Sequence, residues 1–222
     1  FGGDGAVPFV LRSKVAMGTG YGSQHSIDPA GIFATAPGWR IVAPSTPFDY
    51  VGLMNAALQC DDPVVVIEHV DLYASTGPAV EGDFDHVLPV GKAAVRREGK
   101  AVTVLTYLAM TNYVLQAVEE TGIDAEVIDL RWLDRASLDW DTITESVKKT
   151  NNVVIAEQGA VGTSYGNWLG DEIARRLFDW LDAPVGRITG GMASPSISKV
   201  LERAAFAKSE EAAARLREIT EA

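Results

Sequence analysis

Residues 61–69, DDPVVVIEH, limit the possible folds more than any other stretch of the chain. A turn signal is followed by β-branched residues without polar alternation, as expected for a strand covered on both faces of a parallel sheet. The neighbouring sequence supplies covering helices. VPFVLRS (7–13) has strand length, and DPAGIFATAPG (28–38) reads as a short helix. There Asp28 accepts from free helix N–H groups, Pro29 suits the first helical position and Gly38 ends the element. RIVAPS (40–45) is a second strand. TPFDYVGLMNAALQC (46–60) is a helix capped by Thr46, started by Pro47 and carrying Val51, Met54 and Leu58 on one face.

Residues 73–89 lack periodicity and hold two prolines, two glycines and three acids. They place a linker over 73–91, between a first unit at 1–72 and a second at 92–222. VGKAAVRREGKAVTVLTYL (90–108) reads as two strands around a Glu98-Gly99 turn. The helix TNYVLQAVEETG (111–122) leads to the strand DAEVIDL (124–130), and the helix WDTITESVKKT (140–150) to the strand NNVVIAEQ (151–158). A long helix after Thr163 carries Leu169, Ile173 and Leu177 on one stripe, and APVGRIT (183–189) is a last strand before C-terminal helices. This alternation predicts an α/β fold, a mostly parallel sheet with helices on both faces.

The net charge of −11 comes with scattered basic residues, so nucleic acid is not an expected partner, whereas a basic protein surface would be attracted. The single cysteine, Cys60, allows no internal disulfide. No apolar run approaches the roughly 20 residues that span a bilayer. An intracellular protein without membrane contact is expected. The start, Phe1-Gly2-Gly3, lacks a methionine and reads as that of a fragment or processed product.

Chemistry-bearing residues are few. His25, His69 and His86 are far apart, and one cysteine offers no zinc spacing. GTGYG (18–22) lacks the Lys-Ser/Thr of a phosphate loop, and GSQHS (22–26) is no nucleophile elbow. His25 follows Gly18, Gly20 and Gly22 at a strand-to-helix loop, where α/β sheets bind ligands and where an imidazole can exchange protons near neutrality. The plainer alternative is a ring that bonds a neighbouring carbonyl and fixes the loop. AALQCDDP (56–63) ends a helix whose free carbonyls could wrap a monovalent cation, although an ordinary solvated helix end is the commoner outcome. Glu157 in EQG (157–159) reads as an exposed loop acid with no assigned role.

GSQHS, GWRIVAPSTPFDYVGLMNAAL (38–58) and DPVVVIEHVDLY (62–73), in this order, resemble the β part of thiamine-diphosphate-dependent 2-oxoacid dehydrogenase E1 components, the pyruvate, branched-chain and acetoin dehydrogenases. The likeness continues through VGKAAVRREGKAVTVLTY, AEVIDLRWLDRASLDWDTITESVKKTNNVVIAEQG and DAPVGRITG, covering nearly the whole chain. It implies that residues 1–72 are the later part of a transketolase-type pyrimidine-binding domain and 92–222 a transketolase C-terminal domain. It implies thiamine diphosphate with magnesium, held mainly outside this chain by an E1 α subunit or α part. The segment with the glutamate that pairs with the aminopyrimidine has no counterpart here, so the chain alone is expected to be inactive.

The resemblance further implies oxidative decarboxylation of a 2-oxoacid and acyl transfer to the lipoyl group of an E2 partner, with His25 as the catalytic residue facing the thiazolium. A transketolase-like transferase and a non-catalytic E2-docking module are the alternatives. A second β copy is an implied partner. A potassium ion is implied at the backbone carbonyls of Phe9, Ala57, Leu58, Cys60 and Asp62. The compartment implied is cytoplasmic, or the mitochondrial matrix in a eukaryote. Residues 98–222 hold 13 Lys+Arg and 20 Asp+Glu, which makes Asp171, Glu172, Asp179 and Asp182 candidates for a surface that receives a basic E2 domain.

Overall fold

The computed structural model describes residues 5–78, 82, 84–162 and 165–220. Parts of the expected linker, 79–81 and 83, and Thr163 ahead of the long helix lie outside them. In the first unit, three parallel strands stand in the order β1 (Val10–Val15), β3 (Val64–His69), β2 (Arg40–Val42). The VVVIEH strand is central and buried at every residue, which is why it needs no polar alternation. The crossovers carry α1 (Ala30–Ala34) and α2 (Pro47–Leu58). Thr46 caps α2, its hydroxyl accepting from the Asp49 N–H at 3.1 Å.

The buried face of α2 is not the one carrying Val51, Met54 and Leu58. Asp49, Gly52, Leu53, Ala56 and Ala57 point inward, and Leu58 is 65% exposed. Small residues win this face because the chain beyond β3 is strapped across it. Leu88 N–H donates to Gly52 O at 3.0 Å, and a Cβ at Gly52 would lie 2.6 Å from Leu88 Cγ.

The second unit has strand order β4 (Ala94–Arg97), β6 (Ala125–Asp129), β5 (Val102–Thr106), β7 (Val153–Ala160), β8 (Gly186–Gly190). Only β4 runs antiparallel to its neighbour. The helices are α3 (Leu108–Thr121), α4 (Trp140–Thr150), α5 (Tyr165–Leu177), α6 (Lys199–Glu202) and α7 (Ser209–Thr220). The strands on either side of Glu98-Gly99 both form, but β6 lies between them. Their connection passes over the start of β6: Lys100 and Ala101 N–H groups donate to Asp124 O at 3.1 and 2.8 Å, and a Cβ at Gly99 would run into the Ala125 backbone. None of the described helices is long and apolar enough to cross a membrane.

The two units share one core. Ile41 and Ile67 of the first belong to the same buried cluster as Leu105, Ile128 and Ile155 of the second. Residues 131–133 extend the first sheet beside β2, with Ala43 N–H donating to Arg131 O and Leu133 N–H to Ile41 O, both at 2.9 Å. This buries Trp132 among Val42, Leu53, Val64 and Val66. Charge completes the junction. Arg96 bridges Asp49 and Asp129, reaching Asp129 Oδ2 at 2.7 Å and Ser45 Oγ at 3.2 Å, while Arg131 meets Asp49 Oδ1 at 2.5 Å. Both aspartates are fully buried.

Breaking a buried ion pair from one side strands the other charge, which costs about 3–5 kcal/mol. Arg96→Leu is therefore expected to lower unfolding stability by that amount in a urea titration. A loss within about 0.5 kcal/mol, the size of an exposed surface change, would show that Asp49 and Asp129 do not depend on it.

Candidate functional site

The loop after β1 is built to bend. Gly18, Gly20 and Gly22 all have positive φ, at 89°, 80° and 71°, a region open to glycine and strained for other residues. The backbone closes the loop at its base: Ala16 N–H donates to His25 O at 2.7 Å, and Ser26 N–H to Gly22 O at 2.9 Å. Ser26 is buried and its hydroxyl donates to Ala16 O at 3.3 Å. His25 stands exposed on this closed loop, its ring edge-on to Tyr21 with centroids 5.7 Å apart. None of these bonds uses the His25 ring, so the imidazole is left accessible for other work.

The second unit grips the loop at both ends. Near its start, Gly20 N–H donates to Glu202 Oε2 at 2.6 Å, and Glu202 is fully buried at the end of α6. At its other end Asp28 Oδ1 accepts from Ala30 N–H at 2.9 Å, meeting a free helix N–H as expected, although Pro29 rather than Asp28 is the cap residue and α1 stops at Ala34, short of Gly38. The second Asp28 oxygen does something the sequence does not announce, accepting from Tyr107 Oη at 2.6 Å. The same hydroxyl lies 3.2 Å from Glu157 Oε2.

Glu157 is not the exposed loop acid that EQG suggested. It lies inside β7 with no exposed surface, accepts from Gly166 N–H at 2.9 Å and pairs with Arg187. Tyr107 is placed by a tight strand-to-helix turn in which Leu108 takes φ 55°, a conformation costly for a branched side chain. That turn starts α3 three residues earlier than its apolar pattern suggests.

Burial pushes the Asp28 carboxyl up to about 6, the nearby Glu157 charge adding to the rise while the bonds from Tyr107 and Ala30 oppose it. Burial also raises the Tyr107 phenol well above its ordinary value, so it stays protonated. Asp28 lines a junction cavity of about 480 Å³ whose other walls include Met17, Ile27, Ile32, Val161 and Met192.

Comparison with known proteins agrees with this architecture. Residues 2–76 match the family described as transketolase, pyrimidine binding domain, and residues 91–211 the transketolase C-terminal domain. Pyruvate dehydrogenase E1 component subunit beta-1 of Arabidopsis thaliana is 38% identical over 210 residues, covering 92% of this chain and 57% of the relative. This chain belongs to the transketolase-like E1 β family. The β subunit of acetoin:2,6-dichlorophenolindophenol oxidoreductase from Bacillus subtilis is 37% identical, covering 91% of this chain and 59% of that one. The 2-oxoisovalerate dehydrogenase β subunit of Pseudomonas aeruginosa is 38% identical, with 85% and 57% covered. The chain thus spans a little over half the length of these E1 β relatives. A split-gene transketolase, in an inactive β4 tetramer, shares the fold with a TM-score of 0.74 at 20% identity, over 97% of this chain and 67% of its own.

The cation candidates of this E1 β chain gather at one place. Ala57 and Leu58 end α2, Cys60 and Asp62 lie on the turn from it to β3, and Phe9 O is beside them, accepting from Val64 N–H at 3.0 Å. Ala57 O takes the Cys60 N–H at 3.2 Å, and the Asp62 side chain is occupied by Arg40 at 2.9 Å. Among the described residues no three His, Cys, Asp or Glu side chains converge as a metal cluster. Of the acids proposed for docking, Asp171 pairs with Arg175, and Glu172, 12% exposed, is held by Arg175 and Arg176. Their charge is largely cancelled within α5, whereas Asp179 and Asp182 stay exposed.

Because the folded carboxyl of Asp28 holds its proton more tightly than an unfolded one, its contribution to stability is complete below the ordinary value of 3.8 and is lost as pH rises through about 6. Asparagine cannot ionise, yet it offers a donor to Tyr107 and an acceptor to Ala30. Asp28→Asn is expected to raise the thermal midpoint relative to wild type at pH 8, with the advantage gone at pH 4. Equal shifts at both pH values would show that Asp28 does not titrate in this window.

Proposed function

We propose that this chain is the β part of a thiamine-diphosphate-dependent 2-oxoacid dehydrogenase that decarboxylates a 2-oxoacid oxidatively and passes the acyl group to a lipoyl partner. The observation that carries the reading is the exposed imidazole of His25 on a glycine loop that is closed by its own backbone and gripped from the second unit. The relatives named above support the reaction class. In this reading residues 1–72 form the cofactor-facing domain, 73–91 the connection and 92–222 the C-terminal domain. The diphosphate and its divalent ion are held by an α partner, and a second β copy completes the assembly.

Bound thiamine diphosphate supplies a carbon nucleophile and an electron sink for the carbon dioxide that leaves. His25 fits such a group in being accessible, on a loop that Gly20 and Gly22 seat against residues 197–199. Its imidazole donates a hydrogen bond to the oxygen of the 2-oxoacid carbonyl as negative charge builds there, and moves a proton when the acyl group is handed on. Asp179 and Asp182, rather than the neutralised acids of α5, are the proposed receiving surface for a basic E2 domain, where charge acts on encounter rate.

In the full-length protein with its partner subunit, His25→Ala is expected to lower kcat for reductive acylation by roughly 10²-fold or more, with cofactor affinity little changed. Turnover within twofold of wild type would return His25 to a loop residue without chemical duty. The carbonyl cluster around Phe9, Ala57, Leu58, Cys60 and Asp62 is proposed to hold potassium, each carbonyl keeping a second lone pair. Potassium should then raise the thermal midpoint above that in sodium at equal ionic strength, since a ligand of the folded state stabilises by mass action. Identical midpoints would remove the site.

A further inference from the structure

Glu202 is an odd residue to keep for stability. It is fully buried, one carboxylate oxygen accepts the Gly20 N–H at 2.6 Å, and the other, Oε1, has no hydrogen-bond partner among the described residues. A buried carboxylate satisfied on one side only is a destabilising choice for a core position. What it does gain is position. Gly20 sits at φ 80° against the segment leading into α6, where a Cβ would lie 3.0 Å from Ile197 O and 2.9 Å from Lys199 Cγ. The glycine loop and the 197–202 segment are therefore in close contact, and the polar tie between them is short.

The other end of the loop is tied in the same direction. Asp28 reaches Tyr107, which stands on the strained turn into α3. Strain of that kind persists only where surrounding structure over-determines it, and it clusters at places where geometry matters. Two polar ties, at Gly20 and at Asp28, thus bracket His25 from the second unit, five residues after the first and three before the second.

We propose that Glu202 and Tyr107 are positioning residues of the C-terminal domain, holding the loop of residues 16–28 so that His25 meets its substrate in one orientation. The proposal rests on the functional reading of His25 above and adds a duty to a domain otherwise read as an assembly platform. Neither residue touches the reacting atoms. They act by limiting how far the imidazole wanders, and a displacement of about 1 Å at a reacting group can cost on the order of 10²-fold in rate.

The test separates position from stability with two variants of Glu202. Glu202→Gln keeps an acceptor for Gly20 N–H, whereas Glu202→Met fills the volume and removes it. Amide hydrogen exchange of residues 18–26, read by mass spectrometry on the full chain, should speed up about tenfold in Glu202→Met and in Tyr107→Phe and stay near wild type in Glu202→Gln. The thermal midpoint of Glu202→Met should not fall, because an unsatisfied buried carboxylate has gone. In the full-length protein with its partner, kcat should drop about tenfold or more in Glu202→Met with KM for the 2-oxoacid little changed, and Glu202→Gln should restore it.

Unchanged loop exchange in Glu202→Met would overturn the proposal. So would faster exchange with normal kcat in a protein whose His25→Ala variant is impaired. If instead His25→Ala is fully active while loop exchange responds as expected, the ties stand and the functional reading of His25 is the part that fails.

Discussion

Asp49 is a buried aspartate whose charge partners both come from the other half of the molecule, and much of the structure depends on that arrangement. Asp49 belongs to α2 of the first unit, yet both guanidinium groups that meet it, from Arg96 and Arg131, come from the second. Asp129 shares Arg96 and accepts from Ser45 of the first unit at 2.5 Å. Ion pairs this deep add little net stability compared with apolar packing, but removing one partner is severe. They therefore act chiefly as registration. Only one docking of the halves satisfies all of them, and the same docking seats Trp132 beside Val42.

That registration reaches the site through rigid elements. Arg131 and Trp132 follow β6, which pairs with β5 over five residues, and β5 ends at the turn carrying Tyr107. The second unit thus brings Tyr107 and Glu157 to the end of the His25 loop with no adjustable segment between junction and anchor. A three-residue β2 and a five-residue α1 could not hold such a loop alone, since short elements bury little surface.

The order of strands and helices was legible because burial on both faces leaves a strong mark, as in VVVIEH, and because caps such as Thr46 are local chemistry. Features that depend on a distant neighbour were not. The buried face of α2 shifted from Val51, Met54 and Leu58 to Gly52, Leu53 and Ala56 because residues near 88 cross the helix, which no local pattern encodes. The two strands around Gly99 were foreseeable, but β6 between them was not, since pairing partners are chosen by topology. Glu157 failed for the same reason: a strand-end acid looks solvated until Gly166, Arg187 and Tyr107 close over it. His25 was visible as a lone imidazole among glycines. Its supports, Glu202 and Tyr107, lie 177 and 82 positions away and carried no signal of their own.

The Asp28–Tyr107–Glu157 chain has a property that follows from counting protons. A phenol carries one, and here two carboxylates face it. With Asp28 ionised, the hydroxyl donates to its nearer oxygen at 2.6 Å, and Glu157 relies on Arg187 and Gly166 N–H. When Asp28 takes up a proton near pH 6, that carboxyl can donate to Tyr107, and the hydroxyl turns to Glu157 at 3.2 Å. The tie between the halves survives in both states with its direction reversed. Stability can therefore vary with pH at this place while the loop stays where it is, which a simple salt bridge at the same position, lost whenever one partner neutralised, would not allow.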